Sequence, residues 1–377
     1  MKDLLAEILR CPPVEVFLPT GIRSHGYCED GMAYVQFLQT RAMPMWIYEK
    51  EFHIEGKTYS YHDLCPDTAI ILMNHYWDGL DEKPNFPSSK KLVLMPNIEM
   101  YELKGSHYHR VDYVLAKTQE AYNRITQWYK NNTNPRKTQV FYTMHTSSDP
   151  TLLARTKAKH EPALFGVIEP NDWIDLKVFH ANGRSPQKNT PRILDCWRDR
   201  PDFPVVHMYS SDGGSMETYK RHHVENETML NVDFHHGEFV EPAKFGKLLA
   251  EASVILCPSI MEGFGHYINQ ARASGALVLT TDAPPMNELI DETSGVLISP
   301  VITRNTGDRV LMGPATEFDL EPSAICAAMD RVLAMSPSER ASRAREGQRR
   351  YYNQLTFFKQ AMDKFRLLVE KDLSTPK

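Results

Sequence analysis

Two short loops hold the side chains of this sequence best suited to handle a diphosphate. In Gly183-Arg184-Ser185-Pro186-Gln187-Lys188 a guanidinium and an ammonium stand four positions apart behind a glycine. A departing diphosphate needs its charge neutralised as the bond to it breaks. Arg and Lys can both do this, Arg bidentately. In Glu262-Gly263-Phe264-Gly265, two glycines let backbone N–H groups approach a ligand closely. The segment His266 to Ser274 then reads as a helix stopped by Gly275. A helix start offers N–H groups and the positive end of a dipole to phosphate. Glu262 would repel phosphate, so it suits sugar hydroxyls beside the phosphate instead. Taken singly, each loop is also what an ordinary solvated turn looks like.

Other polar residues also follow predicted strands. Phe234-His235-His236-Gly237-Glu238 ends one of them. Its adjacent histidines point to opposite faces of a strand, and no Cys or H-x-x-x-H partner accompanies them, so no metal is expected. In the first half, the candidates are Gly21, His75, Asn97, Glu99 and His145. A Glu and a His at such strand ends can act as general acid or base or bind a ligand's hydroxyls, and equally can cap the turns that follow. Asp282 and Glu288 are further candidates after a later strand. There is no Ser-His-Asp order, no phosphate loop ending in G-K-S/T and no G-x-G-x-x-G.

The elements that must hold these residues alternate. Apolar runs at Val14 to Leu18, Met45 to Tyr48, Ala69 to Met73, Leu92 to Met95, Val111 to Ala116 and Thr138 to Thr143 read as strands. Residues 30–42, with Asp30 as cap, and Gln119 to Tyr129 read as helices between them. A charged stretch at about 151–174 reads as a linker, and a second series of strands starts at Leu176. Val254 to Cys257 and Ala276 to Thr280 are its clearest strands, and Ser336 to Leu368 reads as a long final helix. This alternation predicts doubly wound α/β sheets whose ligands lie beyond the carboxyl ends of the strands.

Residues 258–275 resemble the donor-site signature of the retaining nucleotide-sugar glycosyltransferases of glycosyltransferase family 4. Pro258, Ser259, Glu262, Gly263, Phe264, Gly265 and Gly275 fit it. Gln270 stands where the family has a second Glu, and His266-Tyr267 where it has Leu-Pro. An amide at Gln270 can still hydrogen-bond a ribose hydroxyl. The Gly183 loop is similar to the family's G-R-x-x-x-x-K element, one residue shorter here. The resemblance implies a GT-B fold: two Rossmann-like doubly wound domains facing a central cleft. Residues 1–165 would form the acceptor domain and 166–346 the donor domain, with the helix at about 347–377 packing back on the first.

It further implies transfer of a sugar from a UDP- or GDP-sugar to a hydroxyl acceptor, with retention and without metal or other cofactor. Arg184, Lys188 and Glu262 would be the catalytic group. Gly183, His236, Gly237, Gly263, Phe264, Gly265, His266 and Gln270 would bind the donor. The acceptor would be a glycan, a lipid or a small molecule, with nucleic acid ranking below these. A nucleotide-sugar epimerase, a phosphorylase and a degenerate fold acting as a scaffold are the alternatives.

Composition sets the outer limits. The 377 residues suffice for two domains, with 42% apolar and 24% charged content. A net charge of −5 provides no basic field to recruit nucleic acid or anionic membrane. Six scattered cysteines read as reduced packing residues, which with no membrane-span-like run predicts a cytoplasmic protein.

Overall fold

The computed structural model describes residues 6, 8–20, 26–98, 103–225, 229–305 and 316–374. The chain divides into two units, one up to Ser147 with the segment from Gln354, the other from Ser148 to Asn353 without 307–315.

In the first unit, β1 (Val14–Leu18), β2 (Ala42–Pro44), β5 (Ala69–Met73), β6 (Leu92–Met95), β7 (Tyr113–Ala116) and β8 (Gln139–Tyr142) form one parallel sheet. Their order is β2-β1-β5-β6-β7-β8. The central strands β5, β6 and β7 are buried along their whole length, which is why they read as unbroken apolar runs. A small hairpin, β3 (Glu51–Ile54) with β4 (Lys57–Ser60), stands apart. One face of the sheet packs under α1 (Tyr27–Leu38) and the apolar stripe Phe358, Met362, Phe365 and Val369 of the last helix. The other is covered by residues including Ala121 and Ile125 of α2 (Gln119–Asn131).

Two short segments depart from the sequence reading here. Met45–Glu49 is a 3₁₀ turn, and the strand lies just before it at Ala42–Pro44, ending on a proline that cannot continue the ladder. Asp30 lies inside α1, buried, and does not cap it.

The second unit opens with α3 (Thr151–His160), where an irregular linker was expected. Its sheet holds β9 (Val178–Gly183), β10 (Val206–Ser210), β11 (Val232–His236), β12 (Val254–Cys257), β13 (Leu277–Thr281) and β14 (Val296–Ile298). The order is β11-β10-β9-β12-β13-β14, every pairing parallel. Counted from β9, this is the 3-2-1-4-5-6 order of a doubly wound nucleotide-binding sheet, and its direction reverses between β9 and β12. Helices α4 (Thr190–Asp199), α5 (Gly213–Glu225), α6 (Pro242–Glu251), α7 (His266–Ser274) and α8 (Pro322–Ala334) alternate with or follow the strands. One core lies under α4 and α8, the other under α6 and α7. A two-stranded ribbon, β15 (Ile302–Asn305) with β16 (Thr316–Asp319), is appended. The last helix, α9 (Pro337–Ser374), begins in this unit, and its residues from Gln354 belong to the first.

The cysteines do not behave as six reduced thiols. Cys11 is bonded to Cys65 and Cys196 to Cys326, with Cα atoms 5.3 and 5.6 Å apart. The partners lie 54 and 130 residues apart, so no spacing pattern announces them. The second pair forms because α4 packs on α8. Cysteine usage therefore gives no argument for a reducing compartment. No described helix is long and apolar enough to cross a membrane.

Candidate active site

The reversal of strand order in the second unit sits between the two loops that the sequence singles out. One leaves β9 and the other leaves β12, and the backbone joins them: Ile260 N–H donates to Gln187 O at 2.9 Å. Gly183, the last residue of β9, has φ +56°, and a 3₁₀ turn over Pro186–Lys188 brings Lys188 back towards the sheet. Gly265 has φ +99°, where an added Cβ would lie 3.0 Å from Ile268 Cδ1 and 3.3 Å from Leu289 Cδ1. Only glycine suits that position. As the residue before α7 it supplies no side-chain cap, which leaves the helix start open to an anion.

The side chains meet in one network. Lys188 Nζ is ion-paired with Glu262 Oε1, the two side chains retaining 16% and 11% of their exposure. The ammonium also lies 3.8 Å from the centre of the Tyr267 ring. Ser259 Oγ donates to the same Glu262 oxygen and contacts the Tyr267 hydroxyl. Burial, then the neighbouring Cys257 and Glu262, push the Tyr267 phenol well above its ordinary value, so it stays protonated. Among the described residues, Glu262 Oε2 has no hydrogen-bond partner. One carboxylate oxygen is thus held while the other can accept from a ligand hydroxyl.

Behind this network stands a residue that the sequence reading missed. His180 Nδ1 lies 2.9 Å from Leu256 O, and Nε2 lies 2.8 Å from Thr190 Oγ1. A carbonyl only accepts, so Nδ1 carries the proton and Nε2 accepts from the threonine. Burial holds its pKa near 4, with the Leu256 hydrogen bond opposing and the Lys188 charge adding to the shift. The ring is therefore neutral and ties β9, β12 and the start of α4 together beneath the two loops. A histidine in the middle of an apolar strand was the available signal.

The remaining donor-site candidates are more dispersed. Arg184 is exposed on the β9 loop. Gly263 is half-buried, and Phe264 is buried with its ring 5.1 Å from His266. Gln270 is half-buried in α7, one turn beyond His266. His236 ends β11 opposite Ser210, and its Nδ1 is buried with no hydrogen-bond partner among the described residues. Gly237, at φ +69°, donates its N–H to Ser210 O at 2.8 Å. The adjacent His235 points the other way, stacked on Tyr209 at 4.4 Å and bonded to Asp233 and Glu238. Asp282 and Glu288 are exposed.

In the first unit, Gly21 and Glu99 lie outside the described residues. His75 and Asn97 are brought together by Asn74, which is fully buried at φ +49°. Asn74 Oδ1 accepts from Asn97 N–H at 3.1 Å, and its Nδ2 lies 3.2 Å from His75 Nδ1. His145 is completely buried, with Nε2 2.7 Å from Asp30 Oδ1. Lys117 Nζ reaches both oxygens of the same carboxylate, at 3.2 and 3.1 Å. Tyr34 and Phe358 pack on the His145 ring, 5.3 and 4.9 Å away. Asp30, Lys117 and Asn74 were not predicted, although a lysine directly after an apolar strand was a visible anomaly.

Two parallel-sheet Rossmann-like units of this kind constitute the GT-B fold. Residues 175–305, which hold both loops, match the family described as Glycosyl transferases group 1. Among solved structures, the chain is similar to trehalose-6-phosphate synthase OtsA, with 11% identity, TM-score 0.65, and 97% of this chain and 99% of that one covered. It is also similar to the sucrose-phosphate synthase tll1590 of Thermosynechococcus elongatus, at 12% identity and TM-score 0.61, over 96% and 100% of the two chains. A third likeness is to the pneumococcal O-GlcNAc transferase GtfA, solved with UDP and GlcNAc, at 14% identity and TM-score 0.52, over 87% and 63%. At such identities the likeness establishes the fold. No curated protein matches the sequence.

Proposed function

We propose that the chain is a glycosyltransferase moving a sugar from a UDP- or GDP-sugar to a hydroxyl acceptor, with retention of anomeric configuration and without a metal. The observation that carries this reading is the pairing of Lys188 with Glu262 at the strand-order reversal, beside the uncapped start of α7. The ammonium has N–H groups beyond the one on Glu262, and these suit the donor diphosphate together with Arg184 and the helix start. Glu262 Oε2 suits the hydroxyls of the donor sugar, Gln270 the ribose, and His236-Gly237 the base. As the bond from C1 to the diphosphate oxygen breaks, its electron pair leaves on the diphosphate, where two cationic side chains stand in for a metal. The acceptor oxygen bonds C1 from the same face, and its proton goes to the departing diphosphate.

On this reading the second unit binds the donor and the first the acceptor. The sequence draws these domains at 166–346 and at 1–165 with the helix at about 347–377, whereas the division at Ser148 puts α3 on the donor side. The acceptor is a glycan, a lipid or a small molecule. We propose the cytoplasm as its compartment, which cell fractionation decides. The test of function is a panel of UDP- and GDP-sugars assayed for binding and turnover in EDTA, with product configuration read by NMR. One donor should be turned over with retention, and Glu262→Ala and Arg184→Ala should each abolish most of that turnover. Binding and turnover indifferent to both changes would sink the reading.

A further inference from the structure

The aromatic residue beneath the lysine has no part in the reading above. Tyr267 occupies the first turn of α7 and makes two contacts that bear on the proposed diphosphate site. Its ring face lies 3.8 Å from Lys188 Nζ, well inside the distance at which a cation is held by an aromatic quadrupole. Its hydroxyl meets Ser259 Oγ, whose hydrogen bond goes to the Glu262 oxygen that also pairs with Lys188. Ser259 itself is fully buried. Tyr267 thus closes a ring of four residues, with both charged members fixed from two sides. A lysine side chain is otherwise among the most mobile, and ordering it at the moment of binding costs conformational entropy.

We infer that Tyr267 is a positioning residue for the donor diphosphate, holding Lys188 with its ring and Glu262 through Ser259. The inference rests on the assignment of Lys188 and Glu262 to the donor. It separates two functions within one side chain. Tyr267→Phe keeps the ring under the ammonium and removes only the link to Ser259. Tyr267→Leu removes both. The consequence for Lys188 should follow the ring, and the consequence for Glu262 should follow the hydroxyl.

The test is titration calorimetry with free UDP and free GDP, using the tighter of the two, on full-length wild type, Tyr267→Phe, Tyr267→Leu, Lys188→Ala and Lys188→Ala/Tyr267→Leu. Thermal melts verify that each variant is folded. A diphosphate reports on Lys188 without needing the sugar, so Tyr267→Phe should bind within about twofold of wild type. Tyr267→Leu should bind about 5- to 30-fold more weakly, the upper part of the range for a cation–π contact, as suits a partly desolvated pair. In the double variant the loss should be no greater than for Lys188→Ala alone, because the ring acts through the lysine. Losses that multiply, or a Tyr267→Leu affinity equal to wild type, overturn the positioning role and leave the transferase reading standing. If neither UDP nor GDP binds wild type, both fall together.

Discussion

The two sheets carry polar side chains at the same ends of their strands and treat them in opposite ways. In the second unit Lys188 and Glu262 pair at the rim with 16% and 11% of their surfaces still accessible. In the first, Lys117, Asp30 and His145 form a comparable cluster at 2%, 1% and 0%. The first cluster binds helix α1 to the ends of β7 and β8 and fixes the shape of that edge. The second keeps donor atoms to spare. Exposure, more than residue type, separates a group that can do chemistry from a group that holds a surface in shape.

The largest effect is expected from breaking the buried cluster. Asp30→Ala leaves the Lys117 ammonium without its counter-charge in a place water cannot reach. Losing one partner of a buried pair costs roughly 3–5 kcal/mol, which urea denaturation would read directly. Lys117→Met with Asp30→Leu, removing both charges, should recover much of that loss. A cost for Asp30→Ala below about 1 kcal/mol, the range of an exposed pair, would erase the contrast between the units.

Lys188→Ala is expected to reverse the pattern. Its partner sits at the rim and keeps a little exposure, so the loss of stability should be smaller than for Asp30→Ala, about 1–3 kcal/mol. Turnover of the donor sugar, however, should drop by about 10²- to 10³-fold, as when one preorganised charge-stabilising donor is lost. Steady-state rates and melting curves on the same preparations would check both halves. A variant as unstable as Asp30→Ala would mean that the rim pair is structural too.

The same contrast explains what could be read from the sequence. The glycines at 183, 263 and 265, and the charged residues next to them, are local: a turn and its ligand-facing groups lie within a few positions of each other. The alternation of apolar runs with helical stripes is local as well, so the doubly wound sheets were within reach, whereas the order of their strands is set by long-range pairing. What was missed is what distant segments decide together. Asp30 was read as a helix cap because Asp at a helix start is usually that. Its partners, Lys117 and His145, arrive from strand ends 87 and more positions away. The two cysteine pairs were missed for the same reason. The stretch at 151–160 looked like linker because its leucines, Leu152 and Leu153, are exposed and give no clean stripe.

Lys90 sharpens the comparison with a buried cation whose nearest partners are carbonyls. Its ammonium donates to Cys65 O, with 1% of the residue exposed. Burial lowers its pKa to about 8, against the smaller raising effects of Glu15 and Asp67. Between that value and 10.5 the unfolded chain binds a proton that the folded chain does not. Stability therefore rises with pH across this window, by at most about 3 kcal/mol, and levels off above it. Comparing denaturation at pH 7.5 and pH 10 in wild type and Lys90→Met isolates the effect, since the methionine variant lacks the slope. An equal slope in both proteins would assign the pH dependence elsewhere.

The smallest effect tests whether the second unit depends on backbone packing where the first depends on buried charge. Gly246, in α6, faces the start of α3, and an added Cβ would meet Pro150 O at 2.1 Å and Ala154 Cβ at 3.3 Å. The first of these is a backbone atom and cannot swing aside, so the two helices must separate. Overpacking of this kind costs about 1–3 kcal/mol. Gly246→Ala should lower the unfolding midpoint accordingly while leaving UDP or GDP binding near wild type, because neither helix contributes to the Lys188–Glu262 network. A shift in nucleotide affinity larger than the shift in stability would mean that α3 and α6 set the position of the rim residues, and the division between shape-holding and ligand-facing groups would have to be redrawn within that unit.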